Sequence, residues 1–476
     1  MDEKKNERIL KLTHVLVLTF PAQGHLNPML EFSKRLASKG LNVALVIPIS
    51  EPSKSLYSTN HHATSSIKIE HISDGFEGVD TNELSLDVYF ELFRVSVIKS
   101  LTNFIEQHQS SQDNPAKVIV CDSVMPWALD LAIQHGMHGA SFFTQSCAVS
   151  AIYYQVHRGM LKLPLEDSQG QGHVSVPPVM STLRVNDLPS FVANVDVYPA
   201  LVKLVLDQFS NMMRANWLLF NTFAELELEV IKWMESQCPT LTVGPTIPSM
   251  YLDKRIAEDK DYGLSLFKPD DAETCIKWLD SKDAGSVVYV SFGSLASLGE
   301  EQMEEITIGL KRMKSNFLWV VRESEEKKLP CNFMQDMELL DDKGLVVKWC
   351  NQLQVLSHGS VGCFMTHCGW NSTMEGVSLG VPMVVMPQWT DQPTNAAFIA
   401  EVWKVGLSIM ANEKGIVTGE EIESCVNEVM GGERGKEIKE NSLKWRERAR
   451  IAMEEGGSSD DNIRDFAKNI IEMYRQ

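Results

Sequence analysis

Two side chains are of the types that general-base chemistry needs. His25 stands in Pro-Ala-Gln-Gly24-His25-Leu-Asn-Pro, just after the apolar run HVLVLTF at 14–20, and Asp122 ends the run KVIVCD at 117–122. If both runs are strands of one parallel sheet, their carboxyl ends share an edge, and histidine and aspartate meet there. The imidazole titrates near neutrality and can take a hydroxyl proton, while the carboxylate fixes its tautomer and stabilises the imidazolium. Gly24, beside the histidine, allows close backbone approach. A strand-end aspartate equally serves as the cap of the next helix.

A second constellation lies between 349 and 392. The segment Met-Thr-His367-Cys-Gly-Trp370-Asn371-Ser372-Thr-Met-Glu375 leaves a strand, turns on a glycine and enters a helix. Free amides and the positive end of a helix attract an anion, with His367, Asn371 and Ser372 as donors beside it. Glu375, about one turn beyond Asn371, can accept from ribose hydroxyls; on the plainer reading Asn371 and Ser372 are caps. Trp349 closes a strand with an indole able to stack on a base or to fill a core. Asp391 and Gln392 follow another strand and suit sugar hydroxyls or helix capping. Cys363, His367 and Cys368 cluster, but adjacent His and Cys at a strand end do not converge on one ion and no second C-x-x-C pair exists, so no metal site is expected. No G-x-G-x-x-G, P-loop or G-x-S-x-G motif occurs, which disfavours dehydrogenase, P-loop and esterase chemistry.

The elements that would position these residues form two series. In the first, short apolar runs (14–20, 42–49, 67–72, 117–122, 139–143) alternate with amphipathic stretches (26–39, 88–108, 127–134). The second begins near 287 and runs through 317–322, 344–349, 363–367, 382–387 and 406–410, with helices expected from Glu300, Asn371 and Thr394. Such alternation predicts βαβ units, and runs apolar on both faces predict a parallel sheet covered by helices. Ligands in such sheets bind beyond the carboxyl ends of the strands, where every candidate above falls. The Pro-flanked, charged stretch 245–271 has no sustained periodicity and is the expected linker. The tail 436–475 reads as charged helices broken at Gly456 and Gly457, its last segment able to pack on either domain.

At 476 residues the chain exceeds one ordinary core, and 44% hydrophobic with 22% charged residues places it among globular proteins. A net charge of −19 without a compensating basic tract excludes a nucleic-acid partner. The first apolar run is too short for a signal core or membrane span, and nine scattered cysteines fit a reducing compartment. A cytoplasmic protein with no membrane partner is expected.

The stretch 349–392 resembles the donor-binding signature of plant family 1 UDP-dependent glycosyltransferases. Its elements are W-C-N-Q from Trp349 through Cys350 to Gln352, H-C-G-W-N-S from His367, Glu375, P-x-x-x-x-P at 382–387, and D-Q at Asp391 and Gln392. P-A-Q-G-H-L-N-P, V-G-P at 243–245 and S-F-G-S ending at Ser294 extend the resemblance over essentially the whole chain. It implies an α/β protein of the GT-B fold, two Rossmann-like doubly wound domains facing across a cleft. The domains would be an acceptor domain 1–245, a linker 246–271, a donor domain 272–455 and a final helix 456–476. By the resemblance, Trp349 would stack on uracil, Gln352 meet the nucleoside and Glu375 hold the ribose. His367, Asn371, Ser372 and Ser294 would contact the diphosphate, and Trp370, Asp391 and Gln392 the sugar, the closing glutamine favouring glucose. His25 would be the base and Asp122 its partner in an inverting displacement, with UDP-glucose as co-substrate, no cofactor and no metal. The acceptor pocket would include 143–150, with Thr144 and Ser146, and 176–191. The runs QGHLNPMLEFSKRL and HISDGFEG look most like the branch acting on triterpenoids, steroids and carboxylic acids. A monomer binding only a UDP-sugar and a small acceptor is the expected species.

Overall fold

The eleven apolar runs become strands of two parallel sheets, joined by Trp217–Phe220 and Thr240–Thr242, which the sequence reading did not single out; the central strands are buried on both faces, whereas the edge strand Lys68–Ile72 is only partly buried. The structure is a computed structural model and describes residues 13–50, 58–59, 65–110, 115–165, 172–267, 272–333 and 342–475. Residues 1–12, the linker end 268–271, residues 334–341 and Gln476 are among those outside the described residues.

The first unit is drawn from Met1–Asn186, Ser190–Leu266 and Ile451–Gln476. Its strands are β1 (His14–Leu18), β2 (Asn42–Pro48), β3 (Lys68–Ile72), β4 (Val118–Asp122), β5 (His138–Phe143), β6 (Trp217–Phe220) and β7 (Thr240–Thr242). All pair in parallel in the order β7-β6-β5-β4-β1-β2-β3. β1 therefore lies between β2 and β4, where the chain winds away in opposite directions, and a crevice opens at that switch point beyond the carboxyl ends. Val15 pairs with Val118 and Leu18 with Cys121, so β1 and β4 end side by side.

The helix after β1 runs Gln23–Ser38, starting earlier than the expected 26–39. Ala22, in extended conformation, ends the loop, and its carbonyl accepts from His25 N (2.9 Å) and Leu26 N (2.8 Å), so Gly24 and His25 belong to the first helical turn. Pro28 is accommodated inside the helix.

The stretch expected to be a linker differs most. Residues up to Leu266 belong to the first unit, bound to that same helix by buried charges. Lys34 Nζ donates to Glu31 Oε1 (2.6 Å), Asp259 Oδ1 (2.9 Å) and the Asp261 carbonyl (2.7 Å). Arg35 forks onto both oxygens of Asp253 (2.7 and 2.9 Å). Leu264–Ser265 pairs antiparallel with Ser58–Thr59, and Gln23 accepts from Leu266 N at 2.7 Å. The final helix, Ser458–Arg475, also belongs to this unit. Phe466 packs between Phe32 and Trp217, and Tyr474 donates to the His14 carbonyl at 2.8 Å.

The second unit contains Asp187–Pro189 and Phe267–Arg450. Strands β8 (Val287–Ser291), β9 (Asn316–Val320), β10 (Gly344–Val347), β11 (Val361–Thr366), β12 (Met383–Val385) and β13 (Gly406–Ser408) pair in parallel in the order β10-β9-β8-β11-β12-β13. The winding repeats that of the first unit, with the switch point between β8 and β11. Val288, Val290, Trp319 and Met365 fill one face of the sheet against Ile306, Leu310 and Ile422.

Candidate functional site

At the β1/β4 switch point His25 Nδ1 lies 2.7 Å from Asp122 Oδ2. The Asp122 side chain is 0% exposed and that of His25 24%. Asp122 Oδ2 also accepts from Phe20 N (3.2 Å) and Oδ1 from Val124 N (3.3 Å), so backbone donors hold the carboxylate against the ring. With a carboxylate on Nδ1, that nitrogen carries the proton and Nε2 is the basic one. Asp122 does not cap the following helix, whose N-cap is Met125.

Thr144 Oγ1 is 3.3 Å from His25 Nδ1, whereas Ser146 is buried and spent as a cap, accepting from Val149 N at 3.1 Å. Gly24 has nothing within 4 Å of where a Cβ would stand, so no protein crowding requires a glycine there. The expected acceptor region 176–191 forms part of an antiparallel hairpin, His173–Val176 with Met180–Arg184, and a short helix, Ser190–Ala193. Sequence patterning missed the aromatic wall beside the histidine. Phe20 meets the His25 ring edge-on at 5.4 Å and Phe93 at 5.2 Å; Phe93 continues to Tyr89 (6.2 Å) and Trp127 (6.4 Å). These aromatics come from three separate segments, and only the helix Leu86–Ser110, with Tyr89 and Phe93 one turn apart, carries a local signal.

In the second unit, β8 leads through Gly293 to Ser294, and β11 leads through His367 and Cys368 to the helix Trp370–Leu379. The His367 ring is clamped between two backbones: a Cβ on Gly293 would stand 2.5 Å from its Nε2, and one on Gly369 2.6 Å. Burial pushes the His367 imidazole down to about 4, against the opposing Ser291 backbone and with help from the Arg322 charge, so the ring is neutral at physiological pH. Its Nδ1 has no partner of hydrogen-bonding geometry.

Arg322, absent from the sequence-derived set, donates to the carbonyls of Ser294 and Ala296 and brings a cation to this loop. Gly369 is the N-cap of the helix, so Asn371 and Ser372 are not caps; they occupy its first turn, where amides face outward. Gln352 Nε2 donates to Glu375 Oε2 (2.6 Å) and Ser372 Oγ (3.0 Å), and the Tyr289 hydroxyl donates to Gln352 Oε1 (3.2 Å). Cys350 is buried with its sulfur 3.5 Å from that hydroxyl, a packing position. Trp349 is stacked on Phe267, rings 4.2 Å apart and 23° from parallel, a partner the sequence reading did not identify. The Trp370 ring is buried, 6.1 Å from that of Trp403, at the start of the helix.

Gln392 Oε1 accepts from the N–H groups of Gln388 (2.9 Å) and Trp389 (3.1 Å), which turns its Nε2 donor away from that loop. Asp391 accepts from Thr390 Oγ1 (2.5 Å) and Asn395 Nδ2 (2.7 Å). Among the described residues no group of three or more His, Cys, Asp or Glu could hold a metal. Burial pushes the Cys363 thiol up to about 12 and raises that of Cys368 as well, so both are packing thiols.

A sequence model described as "UDP-glucoronosyl and UDP-glucosyl transferase" matches residues 14–446, nearly the full chain. The chain belongs to this UDP-glycosyltransferase family. UDP-glycosyltransferase 74E2 of Arabidopsis thaliana is 50% identical over 456 residues, covering 95% of this chain and 98% of that one. Mogroside I-E synthase of Siraitia grosvenorii is 49% identical, covering 95% and 97%. Among solved structures, Os79 from O. sativa in complex with UDP superposes with a TM-score of 0.88 at 36% identity, covering 96% of this chain and 100% of that one. This UDP-glycosyltransferase thus has the GT-B fold and belongs with the plant enzymes, in the hexosyltransferase class. Within it, the stretch 349–392 lies in the second unit, following the ends of β10, β11 and β12, and the His25–Asp122 pair lies at the switch point of the first.

Proposed function

We propose that this UDP-glycosyltransferase transfers glucose from UDP-glucose to a hydroxyl of a small, largely apolar acceptor, a triterpenoid or steroid in preference to a phenol, flavonoid or aromatic acid, with inversion to a β-glucoside. The observation that carries the reading is the 2.7 Å contact of His25 Nδ1 with a buried, backbone-anchored Asp122. His25 Nε2 takes the acceptor hydroxyl proton while the acceptor oxygen forms its bond to the anomeric carbon. The bond from that carbon to the diphosphate oxygen breaks, its electrons leave with UDP, and the imidazolium is stabilised by Asp122.

On the donor side, Trp349 offers a stacking face for uracil and Glu375 with Gln352 a polar pair for ribose. The amides of the helix Trp370–Leu379, with Ser294, Asn371, Ser372 and the neutral His367, receive the diphosphate, and the nearby Arg322 charge favours the developing anion without a metal. Asp391 and the Nε2 end of Gln392 serve the glucose hydroxyls. The aromatic wall Phe20, Phe93, Tyr89 and Trp127 suits a flat apolar acceptor beside the base. The names of relatives agree in kind: one is a mogroside synthase, and a third, 47% identical over 462 residues, is a flavonol 7-O-beta-glucosyltransferase. We assign the protein to the cytoplasm as a monomer.

A mass-spectrometric screen with UDP-glucose against triterpenoids, steroids, flavonoids, phenols and aromatic acids, run in chelator, tests this. A product one hexose heavier, of β configuration, is expected. No product with any acceptor, repeated with other UDP-sugars, would replace transfer by nucleotide-sugar sensing or processing.

A further inference from the structure

A buried amide joins the loop that carries Asp391 to the turn ahead of the helix Trp370–Leu379. Asn395 is 1% exposed and lies on the same face of the helix Gln392–Ala397 as Asp391, one turn away. Its Nδ2 donates to Asp391 Oδ2 at 2.7 Å and to the Cys368 carbonyl at 2.9 Å. Both partners are acceptors, which fixes the amide orientation. Both segments it joins carry a non-glycine residue in the left-handed region, Cys368 at φ +68° and Thr390 at φ +59°. Such conformations persist only where their surroundings hold them.

Around Cys368, Thr366 Oγ1 accepts from Cys368 N (3.1 Å) and Thr373 Oγ1 donates to the Cys368 carbonyl (3.3 Å). Around Thr390, Gln392 Oε1 closes the loop. Each of these bonds lies within its own segment, whereas Asn395 reaches from one to the other. Its Oδ1 is buried without a partner. A leucine of similar size would fill that space without burying a polar atom, so the amide is a poor choice for packing and a good one for orienting a carboxylate.

We propose that Asn395 is a positioning residue for donor-sugar selection, aiming the Asp391 carboxylate at the sugar hydroxyls and locking it to the turn that starts the phosphate-binding helix. The proposal rests on the reading of Asp391 as a sugar contact. Asn395 itself touches no donor atom in this scheme. Its loss lets the carboxylate swing, so recognition of the hexose suffers while recognition of the nucleotide does not.

Calorimetric titration of the full-length protein with UDP, UDP-glucose and UDP-galactose tests this without an acceptor. For Asn395→Leu, the Kd for UDP should stay within about twofold of wild type, the Kd for UDP-glucose should rise about tenfold or more, and the preference between the two hexoses should shrink. In an Asp391→Ala background the same substitution should add little, because its target is gone. If Asn395→Leu does not fold, Asn395→Ser carries the same test, its hydroxyl donating to only one of the two acceptors. Equal losses for UDP and UDP-glucose, or no loss for either, would overturn the positioning role. The underlying reading fails separately: Asp391→Ala with unchanged UDP-glucose affinity would remove Asp391 from the sugar site whatever Asn395 does.

Discussion

Asp122 holds His25 through Nδ1 at 2.7 Å, which leaves Nε2 as the proton acceptor of the proposed mechanism. His25→Ala removes the proton acceptor and should lower kcat for a hydroxyl acceptor by about 10²–10⁴-fold, with much less effect on a carboxylate acceptor that is already ionised. Initial rates on both acceptor classes check this; equal losses would show that the histidine does something other than take a proton. The second histidine makes a different prediction. His367 titrates at 6.5 when unperturbed and at about 4 in the folded protein. The unfolded chain therefore binds the proton first, and stability contributed by the neutral buried ring is present above 6.5 and lost as pH falls toward 4. The loss approaches an order of 3 kcal/mol at the acid end. Asp253 acts in the same direction at lower pH: burial alone would raise its carboxyl, the Arg35 guanidinium outweighs burial and lowers it below 3.8, so this pair is lost only in stronger acid, below the range in which His367 acts. Denaturant titrations from pH 7 to pH 4 should show falling stability, with a shallower fall in His367→Gln.

At the scale of elements, the helix Gln23–Ser38 carries His25, the proposed base, on its first turn and a buried ion network on its later ones. Burial would discharge Lys34, but Glu31 and Asp259 together outweigh it and keep the ammonium charged. Lys34→Met leaves two carboxylates without their cation and should cost roughly 3–5 kcal/mol of stability, read as a lower unfolding midpoint. A neutral result would mean that the network reorganises around water. The two glycines against His367 give a sharper local test. Gly293→Ala puts a Cβ 2.5 Å from the ring at a φ of +72°, so UDP affinity should drop with little change in overall folding. Calorimetry with UDP reads the first and a thermal melt the second.

Across the whole molecule, the two parallel sheets were the most legible feature, because strands covered on both faces are apolar throughout, although the order of the strands and the runs 217–220 and 240–242 were not read from the sequence. The positions of the candidate site were legible wherever a residue follows the end of such a strand, as do His25, Asp122 and His367. What escaped depends on pairs distant in sequence. Phe267 on Trp349, Arg322 on the Ser294 loop and Phe93 beside Phe20 have no local periodicity to announce them. Residues 246–266 read as a tether for the same reason, since their aspartates are matched by a lysine and an arginine some 220 positions earlier. The last helix follows this rule too: Phe466, wedged between Phe32 and Trp217, makes 458–475 a part of the first unit's core, and Phe466→Ala should cost about 3–5 kcal/mol there.

The most direct test of the central claim is the rate of glucoside formation from UDP-glucose on the best hydroxyl acceptor, wild type against His25→Ala, in chelator. Stoichiometric UDP and β-glucoside from the wild type, with the rate reduced at least about a hundredfold in the variant, is the predicted result. UDP released without glucoside, or a variant as fast as the wild type, would contradict it.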